Sequence, residues 1–224
     1  MDQKILVKIL AVTSALTGAM LIIYVVYPIA SYERVSQTKY PQLVSPVSEV
    51  KSLTSSNLTL VDFTKASNWF VGGAKPADFK ESRVSHFTLS IPKLDIENAT
   101  VTIGGDDLSE YLIQYPGTAS PGKLGNTVVF GHSILPQFYN PENYLSIFST
   151  LPTLEEGDEI KISYDGVYYT YEVESMFEVL PTDLQVLDQQ TDDSYLSLIT
   201  CTPPGHPLKP KRLIVRAKVV PLKN

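Results

Sequence analysis

The sequence predicts a mostly-β protein: a closed antiparallel β-barrel of seven or eight strands with one or two short helices, preceded by a single transmembrane helix. Three observations support this. Residues 9–30 form one apolar run. From about residue 86 onward, apolar and polar side chains alternate in short stretches, as in half-buried strands. Turn sequences rich in Gly, Pro, Asp and Asn separate these stretches, and many short strands are typical of a barrel.

The first element is the apolar run, which carries no charged side chain and is long enough to cross a bilayer as a helix. Lys4 and Lys8 precede it, and Tyr24 and Tyr27 lie near its far end, where interfacial aromatics are enriched. A cleaved signal peptide is the alternative, but its apolar core is normally about 7–15 residues long. A retained, single-pass anchor is therefore favoured, with the long C-terminal part outside the cytoplasm.

The chain divides into three predicted parts. Residues 1–31 are predicted to be a cytoplasmic tail and transmembrane anchor. Residues 32–80 are rich in Ser, Thr, Pro and Lys and show no sustained period, which predicts an extracytoplasmic stalk. Within the stalk, Leu58–Phe63 and the pair Trp69-Phe70 are apolar enough to dock onto the domain. Residues 81–224 are predicted to be the folded domain.

The strands of this domain are predicted in order from the alternating stretches. Two of them flank Asp165-Gly166, which is a strong hairpin signal because both residues tolerate the positive φ of a tight turn. The predicted strands are His86–Ile91, Ala99–Ile103, Asn126–Phe130, Glu159–Tyr164, Val167–Val173, Tyr195–Cys201 and Arg212–Val219.

One helix is predicted between the third and fourth of these strands. Asn140-Pro141-Glu142 supplies a helix N-cap, a proline at the first helical position and an acid in the first turn. Apolar residues then recur at helical spacing and predict about three turns with one buried face. They are Tyr144, Ile147, Phe148 and Leu151.

Composition restricts the function. The net charge is −6 and the Lys and Arg residues are scattered, so the chain lacks the basic surface that binding to nucleic acid requires. The chain has one cysteine, which excludes an internal disulfide and leaves either an inert or a reactive thiol.

The cysteine ends a predicted strand. Thr202-Pro203-Pro204-Gly205 follows Cys201 and cannot continue the strand ladder, because proline has no N–H to donate. Arg212 opens the next strand, so a hairpin brings the thiol and a guanidinium onto adjacent strands. Arginine cannot shuttle protons, but it can stabilise a developing oxyanion. Arg216 shares its face of the strand, and a solvated strand charge is the alternative for either arginine.

The sequence offers three histidines as an acid/base partner for the thiol. His86 opens a strand near the stalk, which is a poor place for a cleft residue. His206 lies five residues after the cysteine and could approach it. His132 is preferred because it leaves an apolar strand after a glycine.

Several stretches, in the right order, resemble the sortase family over roughly residues 85–220. They include the histidine motif Val128–Ser133, the cysteine motif Leu198–Cys201 and the arginine strand Lys211–Ala217. The others are Ile91–Val101, Tyr115–Asn126 and Phe148–Asp158. The short, proline-rich loop after the cysteine resembles class D more than class A.

The resemblance implies a membrane-anchored cysteine transpeptidase. Cys201 would be the nucleophile, His132 the acid/base and Arg212 the oxyanion-stabilising residue, and Thr200 would help to hold the substrate. The implied partners are a sorting-signal peptide of LPXTG type and an amine acceptor, either a cell-wall precursor or a pilin lysine. The implied reaction passes through a thioester. The alternatives are an anchored β-barrel binding module with a non-catalytic cysteine, or another cysteine peptidase.

No cofactor is predicted. Acidic residues cluster at Glu155–Glu159 and at Asp106-Asp107. Some sortases bind calcium, but a solvated turn is favoured at both places because calcium needs oxygen ligands that converge from several segments.

Overall fold

The computed structural model describes residues 3–41, 61–80, 84–189 and 191–221. Its strands form one closed barrel in the order β1-β2-β3-β4-β7-β8-β6-β5. The strands are β1 (His86–Ile91), β2 (Ile96–Ile103), β3 (Leu112–Gln114), β4 (Gly125–Phe130), β5 (Glu159–Tyr164), β6 (Val167–Val179), β7 (Ser194–Thr202) and β8 (Lys211–Val219).

The predicted closed barrel of seven or eight strands is confirmed, with eight. The barrel is mixed, however, rather than antiparallel throughout, because β3 runs parallel to β2 and β7 runs parallel to β4. These pairs are not joined by hairpins, and alternation within a strand carries no information about the direction of a distant neighbour. Strand β3 was not predicted from the sequence.

The predicted hairpin is confirmed between β5 and β6. Asp165 and Gly166 have φ values of 50° and 76°, as a tight turn with two left-handed residues requires. Strand β6 continues six residues beyond its predicted end at Val173. Its pairing with β8 shifts in register between Val173 and Ser175 and then runs to Val179.

The α-helix predicted from Asn140 is wrong. The segment forms successive tight turns and then a short 3₁₀ helix at Leu151–Thr153. The Ser146 hydroxyl accepts a hydrogen bond from the Asn140 N–H and contacts the Asn140 and Asn143 carbonyls, so polar side chains satisfy backbone groups that a helix would pair. The apolar residues of the predicted face are nevertheless buried, among them Ile147 and Phe148.

Two apolar clusters sit on opposite sides of the barrel wall. The first receives residues from all eight strands and fills the barrel interior, including Leu196 and Leu198 of β7 and Leu213 of β8. The second lies on the outer face and contains Ile199 and Cys201. Side chains of β7 therefore alternate between the two sides of the barrel wall.

The N-terminal helix α1 spans Gln3–Lys39. It is the one helix in the described residues that is long and apolar enough to cross a membrane. It continues eight residues past the predicted end of the anchor at residue 31, and its last turns pack on the barrel through Tyr32, Ser36 and Tyr40. The division of the chain at residues 31 and 80 remains a prediction.

Candidate active site

Strands β7 and β8 bring the predicted nucleophile and the predicted arginine side by side. Cys201 is the penultimate residue of β7 and Arg212 the second residue of β8, and the two are direct partners in the antiparallel register. Directly opposed residues of neighbouring strands point to the same face. The thiol and the guanidinium therefore share the outer face of the barrel near one end.

The parallel pairing of β4 with β7 places His132 at the same end. Phe130 is the register partner of Ile199, and the Gly131 N–H donates to the Ile199 carbonyl at 3.1 Å, so His132 leaves β4 at the end of β7 that carries Cys201. The Ser133 hydroxyl donates a 2.6 Å hydrogen bond to the Cys201 carbonyl, which ties the two strand ends together. The structure thus gathers Cys201, His132 and Arg212 although they are distant in sequence.

Gly131 is required for the turn that carries His132. A Cβ at this position would lie 2.4 Å from the ring of Phe148 and 2.6 Å from the side chain of Leu112. The Phe148 N–H donates to the His132 carbonyl at 2.9 Å, which holds the turn against the 140–151 segment. A larger residue would push the histidine away from the thiol.

Thr200 lies on the other side of the strand from the thiol. Its side chain is fully buried, and its hydroxyl donates to the Gly131 carbonyl at 2.8 Å. In this conformation the hydroxyl braces the turn before His132. Contact of Thr200 with substrate remains a prediction.

The donors of the Arg212 side chain are occupied by backbone carbonyls. Nε and Nη2 donate to the Trp69 carbonyl at 3.1 and 2.8 Å, and Nη1 donates to the carbonyls of Lys209 and Lys211 at 2.9 and 3.0 Å. The first pair of bonds is a planar, two-pronged grip on one carbonyl oxygen, a geometry that guanidinium favours. The Trp69 carbonyl therefore occupies the position at which the Arg212 guanidinium could bind the carbonyl of another molecule.

Residues 61–80, here called the covering segment, close this site. Trp69 is 0% exposed, stacks on Phe130 with ring centroids 5.1 Å apart and lies 5.8 Å from the His132 ring. Phe63 lies beneath the side chains of Arg212 and Lys209. Cys201, His132 and Arg212 are consequently only 1%, 4% and 1% exposed.

The covering segment is held by hydrogen bonds away from the catalytic candidates. The carboxylate of Asp106 accepts from the Ser67 N–H and hydroxyl at 2.8 and 3.0 Å. The Val71 N–H donates to the Pro181 carbonyl at 2.8 Å. An exposed ion pair joins Lys65 to Asp107.

Burial sets the protonation of the thiol and the imidazole. Burial lowers the pKa of His132 to about 4, the charge of Lys209 adds to this effect, and the charges of Asp62 and Asp107 oppose it only in part. Burial also raises the pKa of the Cys201 thiol, although Arg212 and Lys209 oppose the shift. The closed site thus holds a neutral thiol and a neutral imidazole, whose Nε2 is buried without a hydrogen-bond partner among the described residues.

Comparison with known proteins agrees with this geometry. A family model for the sortase domain matches residues 89–220, more than half of the chain. The chain belongs to the sortase family. It is 28% identical to Sortase D of Bacillus subtilis over 147 residues, which cover 64% of this chain and 69% of that protein.

Solved sortases share the fold of this sortase. A Clostridium perfringens Sortase D5 transpeptidase is 26% identical with a TM-score of 0.53, covering 66% of this chain and 90% of the other. Sortase A from Corynebacterium diphtheriae, in a lid mutant, is 31% identical with a TM-score of 0.54, covering 64% and 74% of the two chains. The sortases are a family of cysteine transpeptidases, and this chain carries a single cysteine at the end of β7.

The other two histidines of this sortase lie elsewhere. His86 opens β1, is exposed and contacts the Ser85 hydroxyl. His206 accepts a hydrogen bond from the Leu208 N–H within the β7–β8 loop. Of the three histidines, only His132 directly follows the strand that pairs with β7 in parallel, so the geometry favours His132 as the partner of the thiol.

The acidic clusters of this sortase are paired with lysines and backbone groups. Asp158 bonds Lys93 and the Glu155 N–H, and Asp107 bonds Lys65. Within the described parts of the chain, no three acidic, histidine or cysteine side chains converge as metal ligands. The absence of a cofactor stays a prediction.

Sequence reasoning missed the residues of this sortase that cover the site. Trp69-Phe70 was predicted to dock, and both side chains are buried in the outer cluster, but nothing in the sequence placed them over the histidine. Lys209 was also missed. Of the docking stretch Leu58–Phe63, residues 58–60 lie outside the described residues.

Proposed function

We propose that this protein is a membrane-anchored sortase that cleaves an LPXTG-like sorting signal through a thioester and transfers the acyl group to an amine. The single observation that carries the proposal is the meeting of Cys201, His132 and Arg212 at one barrel end, on β7, after β4 and on β8. A thiol nucleophile, an imidazole acid/base and a guanidinium donor for the oxyanion together can support acyl transfer by a cysteine.

In the proposed first step, the Cys201 sulfur attacks the carbonyl carbon between Thr and Gly of the signal. The guanidinium of Arg212 releases the Trp69 carbonyl and holds the substrate carbonyl, whose oxygen gains negative charge. The C–N bond then breaks, and His132 gives its proton to the departing amine. The product is a thioester on Cys201 and a free amino terminus.

In the second step, an incoming amine attacks the thioester. His132 takes the proton of that amine, the C–S bond breaks, and a new amide bond forms. Water competes for the same thioester, so transfer dominates only where the acceptor excludes water. The acceptor is proposed to be a cell-wall precursor or a pilin lysine.

The covering segment must leave before either step can occur, because the three side chains are buried beneath it. Opening also changes their protonation. Water returns to the site, so the pKa of Cys201 falls and that of His132 rises, and the thiolate–imidazolium pair becomes accessible near neutral pH.

The apolar part of α1 supports membrane anchoring, with a single pass and an extracytoplasmic domain. The likeness to Sortase D and Sortase D5 supports assignment to class D. The proposed localisation is the cell membrane, where secreted substrates and lipid-linked acceptors are both present.

The test is cleavage of a library of fluorogenic LPXTG-type peptides by the full chain in detergent, with and without a primary amine. We expect cleavage that is accelerated by the amine and abolished in Cys201→Ala and in Cys201→Ser, which is close in size to cysteine. Thermal unfolding should show that both variants stay folded. Cleavage retained in both variants would end the proposal and favour another peptidase mechanism. No cleavage, with a thiol whose labelling rate does not change in His132→Gln or Arg212→Lys, would favour the binding module.

A further inference from the structure

A carboxylate lies inside the barrel directly behind the proposed catalytic residues. Glu178, the penultimate residue of β6, is 2% exposed. Its register partner is Leu213 of β8, whose side chain belongs to the interior cluster. Glu178 therefore points into the barrel, whereas Cys201 of β7 and Arg212 of β8 point outward.

Glu178 contacts one residue next to Cys201 and one residue next to Arg212. Its Oε1 accepts a 2.9 Å hydrogen bond from the hydroxyl of Thr202, which follows Cys201. Its Oε2 lies 3.2 Å from Nζ of Lys211, which precedes Arg212. Thr202 and Lys211 are themselves register partners, so one carboxylate fixes the ends of both strands.

The third partner of Glu178 comes from helix α1. The Tyr32 hydroxyl donates to Oε1 at 2.8 Å, and Glu33 of the same turn forms a second ion pair with Lys211 at 3.1 Å. Burial, followed by the charge of Glu178, raises the pKa of Tyr32, so its hydroxyl remains a donor. The helix thus reaches the buried carboxylate.

A charge buried to this extent is costly unless its hydrogen bonds are all present. Without the hydrogen bond from the Tyr32 hydroxyl, the Glu178 carboxylate would have one donor fewer. It would then shift towards water or towards Lys211. Either shift moves the ends of β7 and β8, on which the thiol and the guanidinium stand. Displacement of reacting groups by about 1 Å can cost about 100-fold in rate.

We propose that Glu178 is a positioning residue through which the docked end of helix α1 sets the placement of Cys201 and Arg212. This inference rests on the proposed transpeptidase function for its kinetic test. It assigns the helix a part in catalysis beyond tethering, because Tyr32 and Glu33 complete the set of partners that the buried carboxylate needs.

The experiment compares Tyr32→Phe with Tyr40→Phe in the full chain in lipid nanodiscs. Each variant removes one hydroxyl from the same helix–barrel contact, but the Tyr40 hydroxyl donates to the Pro152 carbonyl at 2.9 Å and does not touch Glu178. Two readouts are used: kcat and KM on a cleaved LPXTG-type peptide, and the rate at which iodoacetamide alkylates Cys201.

We expect Tyr32→Phe to lower kcat about tenfold with KM changed less than about twofold, because the lost contact orients reacting groups and does not touch peptide. Glu178→Gln should do the same. The alkylation rate should change at least about threefold in both. Tyr40→Phe should leave all three quantities within about twofold of the wild-type chain, even if its melting temperature falls.

The inference would be overturned if Tyr32→Phe kept the kcat and the alkylation rate of the wild-type chain. It would also be overturned if Tyr32→Phe and Tyr40→Phe lost kcat to the same extent. Tyr32→Phe decides the matter if Glu178→Gln fails to fold. The two proposals fail separately: a wild-type chain that cleaves no peptide contradicts the transpeptidase function, while a difference in alkylation between the two tyrosine variants would still support the coupling.

Discussion

At the scale of single residues, burial outweighs charge in setting the protonation of His132. Its pKa is about 4 in the closed site, against about 6.5 for an exposed histidine. Between these values the unfolded chain binds a proton that the folded chain does not. Stability attributable to this group is therefore complete above about pH 6.5 and is lost as the pH falls towards 4.

The first prediction uses this linkage. Lowering the pH from 7 to 4.5 should reduce the unfolding free energy of the wild-type chain by about 2–3 kcal/mol through His132 alone. Glutamine at position 132 does not titrate, so the unfolding free energy of His132→Gln should fall by that much less than that of the wild-type chain over the same pH range. Urea unfolding of both chains in detergent at the two pH values measures the difference, which also cancels the titration of carboxylates common to both. Parallel losses in the two chains would mean that His132 is hydrated in the folded state.

Arg212 and Arg216 give a matched comparison on one strand. Arg212 holds the Trp69 carbonyl with two nitrogens, whereas Arg216 makes long hydrogen bonds of 3.4 Å to Ser197 and Val186 and lies over the Phe177 ring. Lysine keeps the charge but lacks the planar pair of donors. We therefore expect Arg212→Lys to lower kcat/KM by about 100-fold or more, as loss of an oxyanion donor does, and Arg216→Lys to lower it less than about threefold. Steady-state peptide cleavage measures both variants, and similar losses in the two would mean that the planar donors of Arg212 have no special part in the reaction.

At the scale of elements, the covering segment controls access to the thiol. Removing the Trp69 ring deletes its stacking on Phe130 and its contact with His132. Trp→Ala in a packed core costs about 3–5 kcal/mol, and here much of that loss should favour opening. We predict that Trp69→Ala raises the alkylation rate of Cys201 by at least about tenfold at pH 7, while Trp69→Phe changes it much less.

A variant remote from the site separates opening from local damage. Asp106→Ala removes the hydrogen bonds that hold Ser67 and leaves every residue around the thiol in place. Hydrogen bonds to a carboxylate are worth about 1.5–3 kcal/mol, so alkylation should rise about tenfold here too. Lys65→Gln, which breaks only an exposed ion pair in the same segment, should change it less than about twofold. If Asp106→Ala leaves the rate unchanged, the segment does not open as a unit.

The elements that the sequence predicts well are those whose signals are local. Strand β1 has its predicted bounds, and the β5–β6 hairpin follows from Asp165-Gly166. The helix expected from Asn140 failed because serine and asparagine side chains compete for the same backbone groups. Strand β3 has only three residues and pairs with β2 in parallel, so neither its length nor its pairing leaves a periodic signal.

The same distinction applies to the site. The pairing of Cys201 with Arg212 is predictable because a short loop joins their strands. The placement of His132 near the thiol depends on the parallel β4–β7 pair, which joins residues about 70 positions apart. Alternation of side chains does not predict such a pairing, so the placement was predicted from the resemblance to sortases. The grip of Arg212 on the Trp69 carbonyl is a backbone contact, which no side-chain pattern encodes.

At the scale of the whole molecule, helix α1 is longer than a membrane span requires. Its 37 residues correspond to about 55 Å, whereas a hydrocarbon core of about 30 Å needs only about 20 of them. The remaining turns reach the barrel, where Tyr40 is buried in the interior cluster and Lys39 donates to the Pro152 carbonyl at 2.8 Å. The end of the predicted anchor is therefore also part of the folded domain.

The last prediction follows from this shared helix. A chain beginning at residue 27 keeps the docked turns, and one beginning at residue 42 loses Tyr32 and Tyr40. Burial of two tyrosines and their hydrogen bonds contributes about 3 kcal/mol, which corresponds to about 8 °C in Tm for a domain of this size. Scanning calorimetry of both chains measures the difference, and replacing both tyrosines by alanine in the longer chain should reproduce the lower Tm. Equal melting of the two shortened chains would instead show that α1 is a tether whose contacts with the barrel carry no stability.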